Sequence, residues 1–195
     1  TTLFRSTVDF KFDGTDLKFY NNGKLRGVVS DISDGASFVN VLAEDANGTV
    51  KVVAAQKNEV ITVEDELADY YVGNKSGVDF TNYDETLTIN LGSEETSLGG
   101  GKVLFSGINQ VSVGSGLNTL IGSSANETLT GNANGVTEFV FNAGGGRDVI
   151  RNFNFEEDRI NVGSNVITNV VLSKSGSVRL EMGEDRLTLE DAQGK

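Results

Sequence analysis

The chain of 195 residues contains no cysteine, histidine, proline or tryptophan. Without cysteine there is no disulfide framework, no thiolate nucleophile and no zinc-thiolate site. Without histidine the usual general base near neutral pH is missing, which removes every Ser-His and Cys-His arrangement. Basic residues are scarce: 16 Lys and Arg face 28 Asp and Glu, a formal charge of -12. Phosphate backbones are bound by clustered cations, so this balance argues against a nucleic-acid partner and favours divalent cations. No apolar run reaches the roughly 20 residues of a membrane span; the longest are Phe38 to Ala43 and Val50 to Ala55. The start, TTLFRS, has neither Met nor a signal-peptide pattern, which reads as an excised or processed piece.

What is abundant is glycine, with 24 residues, among short segments rich in Val, Ile, Leu, Thr and Phe. Glycine supplies positive backbone angles in turns, and β-branched and aromatic residues suit pleated strands, so the expected class is all-β. From Thr7 to Val63, apolar and polar residues alternate between the turn dipeptides Asp13-Gly14, Asn22-Gly23, Asp34-Gly35 and Asn47-Gly48. This predicts strands near Val8 to Phe12, Leu17 to Tyr20, Leu25 to Ser30, Ser37 to Leu42, Thr49 to Ala54 and Val60 to Val63, mostly antiparallel. Thr62 to Tyr71 (TVEDELADYY) is the best helix candidate, with Thr62, Asp65 and Glu66 as capping groups.

After Tyr71 short apolar triplets are separated by Gly, Ser and Asn. Val111, Leu120 and Leu129 fall nine residues apart in INQVSVGSG, LNTLIGSSA and NETLTGNAN, each with Asn or Glu two residues earlier. A nine-residue period is a solenoid signature: a three-residue strand buries one or two side chains and is stable only when stacked on equivalent coils. Val111 and Leu129 are then expected one full coil apart.

The stretch from Ser106 to Val162 resembles the end of repeat regions in the RTX, or hemolysin-type calcium-binding, family. Phe139, Phe141, Gly144, Gly146, Asp148, Ile150, Phe153, Glu157, Asp158 and Ile160 carry the resemblance. Upstream, Tyr70 to Gly92 is similar to the segment preceding such repeats in giant surface proteins, and GSVRLEMGEDRLTLEDAQGK resembles their closing hairpin. The resemblance implies a parallel β-roll or β-solenoid over residues 70–163, after an antiparallel region over 1–69 and before a capping hairpin over 164–195. It also implies calcium between stacked turns, with Gly144, Gly146 and Asp148 as the metal-site residues. Only that turn keeps the pattern. The preceding turns have become Gly122-Ser-Ser-Ala-Asn-Glu127 and Gly131-Asn-Ala-Asn-Gly-Val-Thr137, the second with an inserted residue and Thr137 where Asp is expected. Asn118, Asn126, Asn132 and Asn134 can support such turns by hydrogen bonds without metal, so only weak calcium dependence is expected.

Other motifs are weaker. Gly23-Lys24 and Gly101-Lys102 lack a phosphate loop's spacing, and Gly114-x-Gly116 and Gly144-x-Gly146 lack a dinucleotide loop's third glycine. Glu64-Asp65-Glu66 and Glu156-Glu157-Asp158 read as solvated acids before they read as a glycosidase pair. Tyr70, Tyr71, Phe80 and Tyr83 read as a core junction before a sugar-stacking platform. No catalytic or cofactor-binding residue is assigned. The expected function is a non-enzymatic structural or interaction module of a large secreted or cell-surface bacterial protein, of the adhesin-like, type I-secreted kind. Its expected partners are neighbouring domains of a longer chain, copies of itself, or host and cell-surface glycans. The alternatives are the C-terminal folding and secretion module of an exported protease, lipase or epimerase, and a catalytic β-solenoid.

Overall fold

The computed structural model describes residues 8–13, 16–21, 23–29, 41–45, 48–54, 60–63, 69–73, 77–93, 95–98 and 102–190. Among these the chain is all-β, without a helix. The alternating N-terminal segments form strands β1 (Val8–Asp13), β2 (Asp16–Asn21) and β3 (Lys24–Val29), an antiparallel sheet of their own. Between the last two, Gly23 takes φ +72°, the left-handed turn conformation expected of its dipeptide. Strands β4 (Val41–Asp45) and β5 (Gly48–Ala54) form the next hairpin, while residues 37–40 of the expected Ser37 to Leu42 strand lie outside the described residues.

Two expectations for this half need correction. The segment from Val60 is not part of an antiparallel set: β6 (Val60–Thr62) pairs in parallel with β8 (Gly77–Phe80). The helix candidate over Thr62 to Tyr71 is also overturned at its C-terminal end, because Asp69–Gly73 is strand β7. It pairs in parallel with β5 and with β11 (Lys102–Ser106), and β10 (Glu95–Ser97) pairs antiparallel with β11, making one five-stranded sheet. Tyr70, Tyr71 and Val72 favour extended backbone, and two neighbouring ladders outweigh the local capping signals of Thr62 to Glu66. Residues 64–68 lie outside the described residues.

From β8 onward the chain alternates between two parallel sheets. β8, β12 (Gln110–Val113), β14 (Thr128–Thr130) and β16 (Arg147–Arg151) lie side by side in an eight-stranded sheet. The intervening strands β9 (Thr88–Asn90), β13 (Leu117–Ile121), β15 (Val136–Val140) and β17 (Arg159–Asn161) form a four-stranded sheet. Val111 pairs in register with Leu129, as the period requires, and Leu120 lies in the other sheet beside Ile89 and Phe139. The column continues through Leu129 to Ile150 and through Phe139 to Ile160.

Val78, Val111, Leu129 and Ile150 from one sheet and Ile89, Leu120 and Phe139 from the other are buried in a single apolar cluster. Burial of each such side chain contributes roughly 2 kcal/mol, which no three-residue strand could secure without its neighbours. Outward residues such as Ser112, Thr119 and Thr130 alternate with these, the period-two pattern of a half-buried strand. The chain ends in an antiparallel meander of β18 (Asn169–Leu172), β19 (Val178–Met182) and β20 (Asp185–Leu189), and β20 joins the eight-stranded sheet parallel to β16.

Candidate functional site

Among the described residues, most buried polar side chains lie where the chain crosses between the sheets. Each crossing ends in one residue, immediately before or at the start of the next strand, whose side chain turns inward. On entry to the four-stranded sheet these residues are Leu87, Asn118, Thr137 and Asp158; on entry to the eight-stranded sheet they are Asn109, Glu127 and Asp148. Asn118, Glu127, Thr137, Asp148 and Asp158 are all buried. The Asn and Glu found two residues before each apolar anchor in the sequence are therefore rungs of two polar columns.

These side chains tie each coil to the one before it. Leu87 N–H donates to Asn118 Oδ1 at 3.2 Å, Glu127 N–H to Asp148 Oδ1 at 2.8 Å, and Thr137 N–H to Asp158 Oδ1 at 2.7 Å. Asn118 Nδ2 also donates to the carbonyls of Gly114 and Gly116 at 2.9 and 3.1 Å. The turns then pack so closely that a side chain at Gly114 would place its Cβ 1.8 Å from the Tyr83 carbonyl oxygen. The Gly114-x-Gly116 spacing is thus a consequence of turn-on-turn stacking.

Gly144, Gly146 and Asp148 are brought together with Glu127, a rung of the repeat, and with Asp185, which the sequence did not point to. Gly144 N–H and Gly146 N–H donate to the Asp185 carboxylate at 2.7 and 3.1 Å, and Asn126 Oδ1 accepts Arg147 N–H at 2.8 Å. Gly146 adopts φ +84°, with the Ala125 carbonyl 2.7 Å from where a Cβ would sit. Glu127 faces Asp148; its Oε1 accepts Ser123 N–H and the Ser123 hydroxyl, and a side-chain hydrogen bond joins the two carboxyls when one of them carries a proton. Asn109 Oδ1, one coil earlier in the same column, is buried and unpartnered. Burial pushes the Asp148 carboxyl up to about 8, and the neighbouring Glu127 and Asp185 carboxyls add to that rise against the opposing bond from Glu127 N–H. The Asp148–Glu127 pair therefore favours holding one proton between its two carboxyls. Burial also raises Asp158, against the two N–H bonds it accepts from Asn154 and Thr137.

A cation would suit this column in one respect, since two carboxylates face each other. The Gly144 and Gly146 amides, in contrast, present donors, and Asp185 takes both. Among the described residues no three carboxylates converge on a common point. The asparagine expectation is met in geometry at Asn118, Asn126 and Asn132, the last accepting Asn134 N–H at 2.9 Å within its own turn.

The other motifs resolve into structure. Glu156 and Glu157 are exposed, while Asp158 is a buried rung, and Glu64 to Glu66 lie outside the described residues. Phe80 and Tyr83 are buried in the core. A pocket of about 340 Å³ beside Phe153 and Phe155 contains Glu156 as its single acid, and a trough of about 260 Å³ along the turns of Asn90, Ser123 and Asn142 contains none. What sequence reading missed is Asp185, which acts across 41 residues on Gly144, and the burial of Asp158, which the sequence grouped with solvated acids and whose distance from Thr137 departs from the nine-residue step.

No protein-family model and no curated protein sequence matches the chain. Among solved structures, the extracellular lipase LipA from Serratia marcescens aligns with 98% of this chain and 29% of its own, at 18% identity and a TM-score of 0.32. A likeness of that size carries no inference about activity.

Proposed function

We propose that the chain is a non-catalytic structural and interaction module of a large secreted or cell-surface bacterial protein, and that residues 70–163 are a degenerate β-roll of the RTX kind closed by the hairpins of 164–195. The observation that carries this reading is the in-register stacking of Val111 on Leu129 and Leu120 on Phe139, with a polar rung beside each coil. It agrees with the residue correspondence from Phe139 to Ile160. A coil of this kind extends a surface by about 4.8 Å per turn and leaves its outward side chains free to meet neighbouring domains or glycans.

Calcium has a limited place in the reading. Asp148 and the facing Glu127 are the groups that would hold the ion, which would neutralise their charge when bound. The Asp185 bonds to Gly144 and Gly146 close the same turn by protein groups alone. A modest rise in melting temperature with calcium is expected, and a collapse on chelation would show that more turns hold the ion.

The module reading is tested by deletion of a whole coil. Leu117 pairs with Val136, so removing residues 117–135 joins Gly116 to Val136 with sheet and face preserved. The shortened protein is expected to remain folded and β-rich, whereas removing half a coil, residues 117–125, sends each later strand to the wrong sheet and unfolds it. Unfolding by the whole-coil deletion, or turnover of ester, peptide or polysaccharide that is lost on replacing Glu127 or Asp158, would overturn the proposal.

A further inference from the structure

β16 ends at Arg151, and the next residue, Asn152, is the one non-glycine among the described residues with a positive φ, +54°. Asparagine tolerates that left-handed conformation, and here it turns the chain out of the sheet into the crossing before β17. Phe153 then packs on buried Phe139, with ring centroids 6.0 Å apart, while Phe155 meets Phe153 edge-to-face at 4.9 Å and 84°. An edge-to-face contact covers at most one face of a ring, and Phe155, 47% exposed, keeps the other open. The loop is held by its own polar groups. Asn154 N–H donates to Asp158 Oδ2 at 2.8 Å, Asp158 N–H donates to the Asn154 carbonyl at 2.8 Å, and Glu156 N–H donates to Asn154 Oδ1 at 3.1 Å. Those bonds use the Asn154 oxygens and leave its Nδ2 unbonded. The Asn152 amide and the Glu156 carboxylate likewise have no hydrogen-bond partner among the described residues. With Ala133 from the preceding crossing, residues 152–156 line the pocket of about 340 Å³. Small-molecule sites span roughly 300 to 1,000 Å³, so this one suits a single ring.

The lining decides the chemistry of the ligand. Two phenyl rings and Ala133 make an apolar wall, and two carboxamides and one carboxylate stand beside it. A wholly apolar partner would bury those three polar groups unpaired. An anion would meet Glu156 with no Lys or Arg in the lining, and an organic cation would answer Glu156 and the rings while leaving both carboxamides unused. A sugar answers every group: its C–H face lies on a phenyl ring, and its hydroxyls accept from amide N–H and donate to the carboxylate. We propose that this pocket is a subsite for one neutral pyranose ring, stacked on Phe155 and hydrogen-bonded by Asn152, Asn154 and Glu156. Asp158 already fixes the loop, so binding orders little that is not ordered beforehand. The subsite deepens the module reading, on which its biological role rests, by naming the class of partner that one outward surface takes. Its failure leaves the coil-deletion result untouched, so the two claims fail separately.

The test is a titration of the ¹⁵N-labelled intact chain with the methyl glycosides of glucose, galactose and mannose, followed by amide resonances to about 50 mM sugar. At least one is expected to move the amides of residues 152–156 with a Kd on the order of 1 to 10 mM. Phe155→Leu keeps an apolar side chain without a ring face and should weaken binding about tenfold, with the rest of the amide spectrum unchanged. The uronic-acid counterpart of the bound hexoside should bind about fivefold more weakly than the neutral sugar, and Glu156→Gln, which leaves the ring pair untouched, should close that gap. No response at residues 152–156 to any of the three glycosides, undiminished binding by folded Phe155→Leu, or an unchanged charge preference in Glu156→Gln would each overturn the proposal. So would tetramethylammonium chloride moving the same amides at lower concentration than every glycoside, which would make the pocket a cation site.

Discussion

Along the entry edge of the four-stranded sheet the recurring inward position is held by Asn118, Thr137 and Asp158; along the entry edge of the eight-stranded sheet it is held by Asn109, Glu127 and Asp148. The first edge is largely satisfied by neutral groups. Asn118 accepts one bond and donates two, and the Asp158 oxygens accept N–H groups of Thr137 and Asn154, leaving the Thr137 hydroxyl as its one unpartnered atom among the described residues. The second edge buries two facing acids joined by a side-chain hydrogen bond and leaves Asn109 Oδ1 unpartnered, so its charge is neutralised by a proton or a cation. An amide can therefore replace a carboxylate rung outright, while paired carboxylates keep the edge sensitive to its ionic surroundings.

The steric limit common to both edges gives the largest expected effect. Gly114→Ala would place a methyl 1.8 Å from the Tyr83 carbonyl oxygen, and the turns must separate. A loss of roughly 3 kcal/mol or more is expected in urea unfolding. A wild-type midpoint would show that the turns are not stacked.

Next comes the neutral edge. Asn118→Ala leaves buried partners on Leu87 and Gly114 unpaired, for a loss of about 2 to 4 kcal/mol at every pH. The acidic edge should respond to pH instead. Asp148 is raised in the folded state, so its contribution is fully present below the unfolded value near 4 and is lost as pH rises through about 8. In chelator, stability should fall as pH rises across that window. Asp148→Asn keeps an acceptor for Glu127 N–H and should flatten most of the decline; the smaller remainder belongs to Asp158, which is shifted in the same direction. Chemical denaturation at several pH values measures both, and stability rising with pH would contradict the assignment.

The smallest effect is at Thr137, whose hydroxyl is buried without a partner. Thr137→Val exchanges that group for a methyl of similar shape and should be neutral or stabilising by about 0.5 kcal/mol in the same assay.

The coil was legible in the sequence because its half-turn repeats: Val111, Leu120 and Leu129 are one step apart, and Asn109, Asn118 and Glu127 precede them at a fixed offset. Beyond Leu129 the steps lengthen, so Thr137 and Asp158 became equivalent only through the strand register. The grouping of Asp185 with Gly144 depends on a meander that returns β20 to β16, which no local pattern reports. The parallel pairing of β5, β7 and β11 escaped for the same reason, and the acids of TVEDELADYY suggested a helix where distant ladders draw its last residues into a strand.

The register itself admits a direct measurement, because the native chain has no cysteine. Ser112 and Thr130 lie opposite one another on the outer face of adjacent coils, at a spacing that a disulfide can span. The double variant S112C/T130C should oxidise to an intramolecular disulfide without loss of β structure, and S112C/T128C should not. Efficient closure of the second pair with failure of the first would contradict the stacked coil.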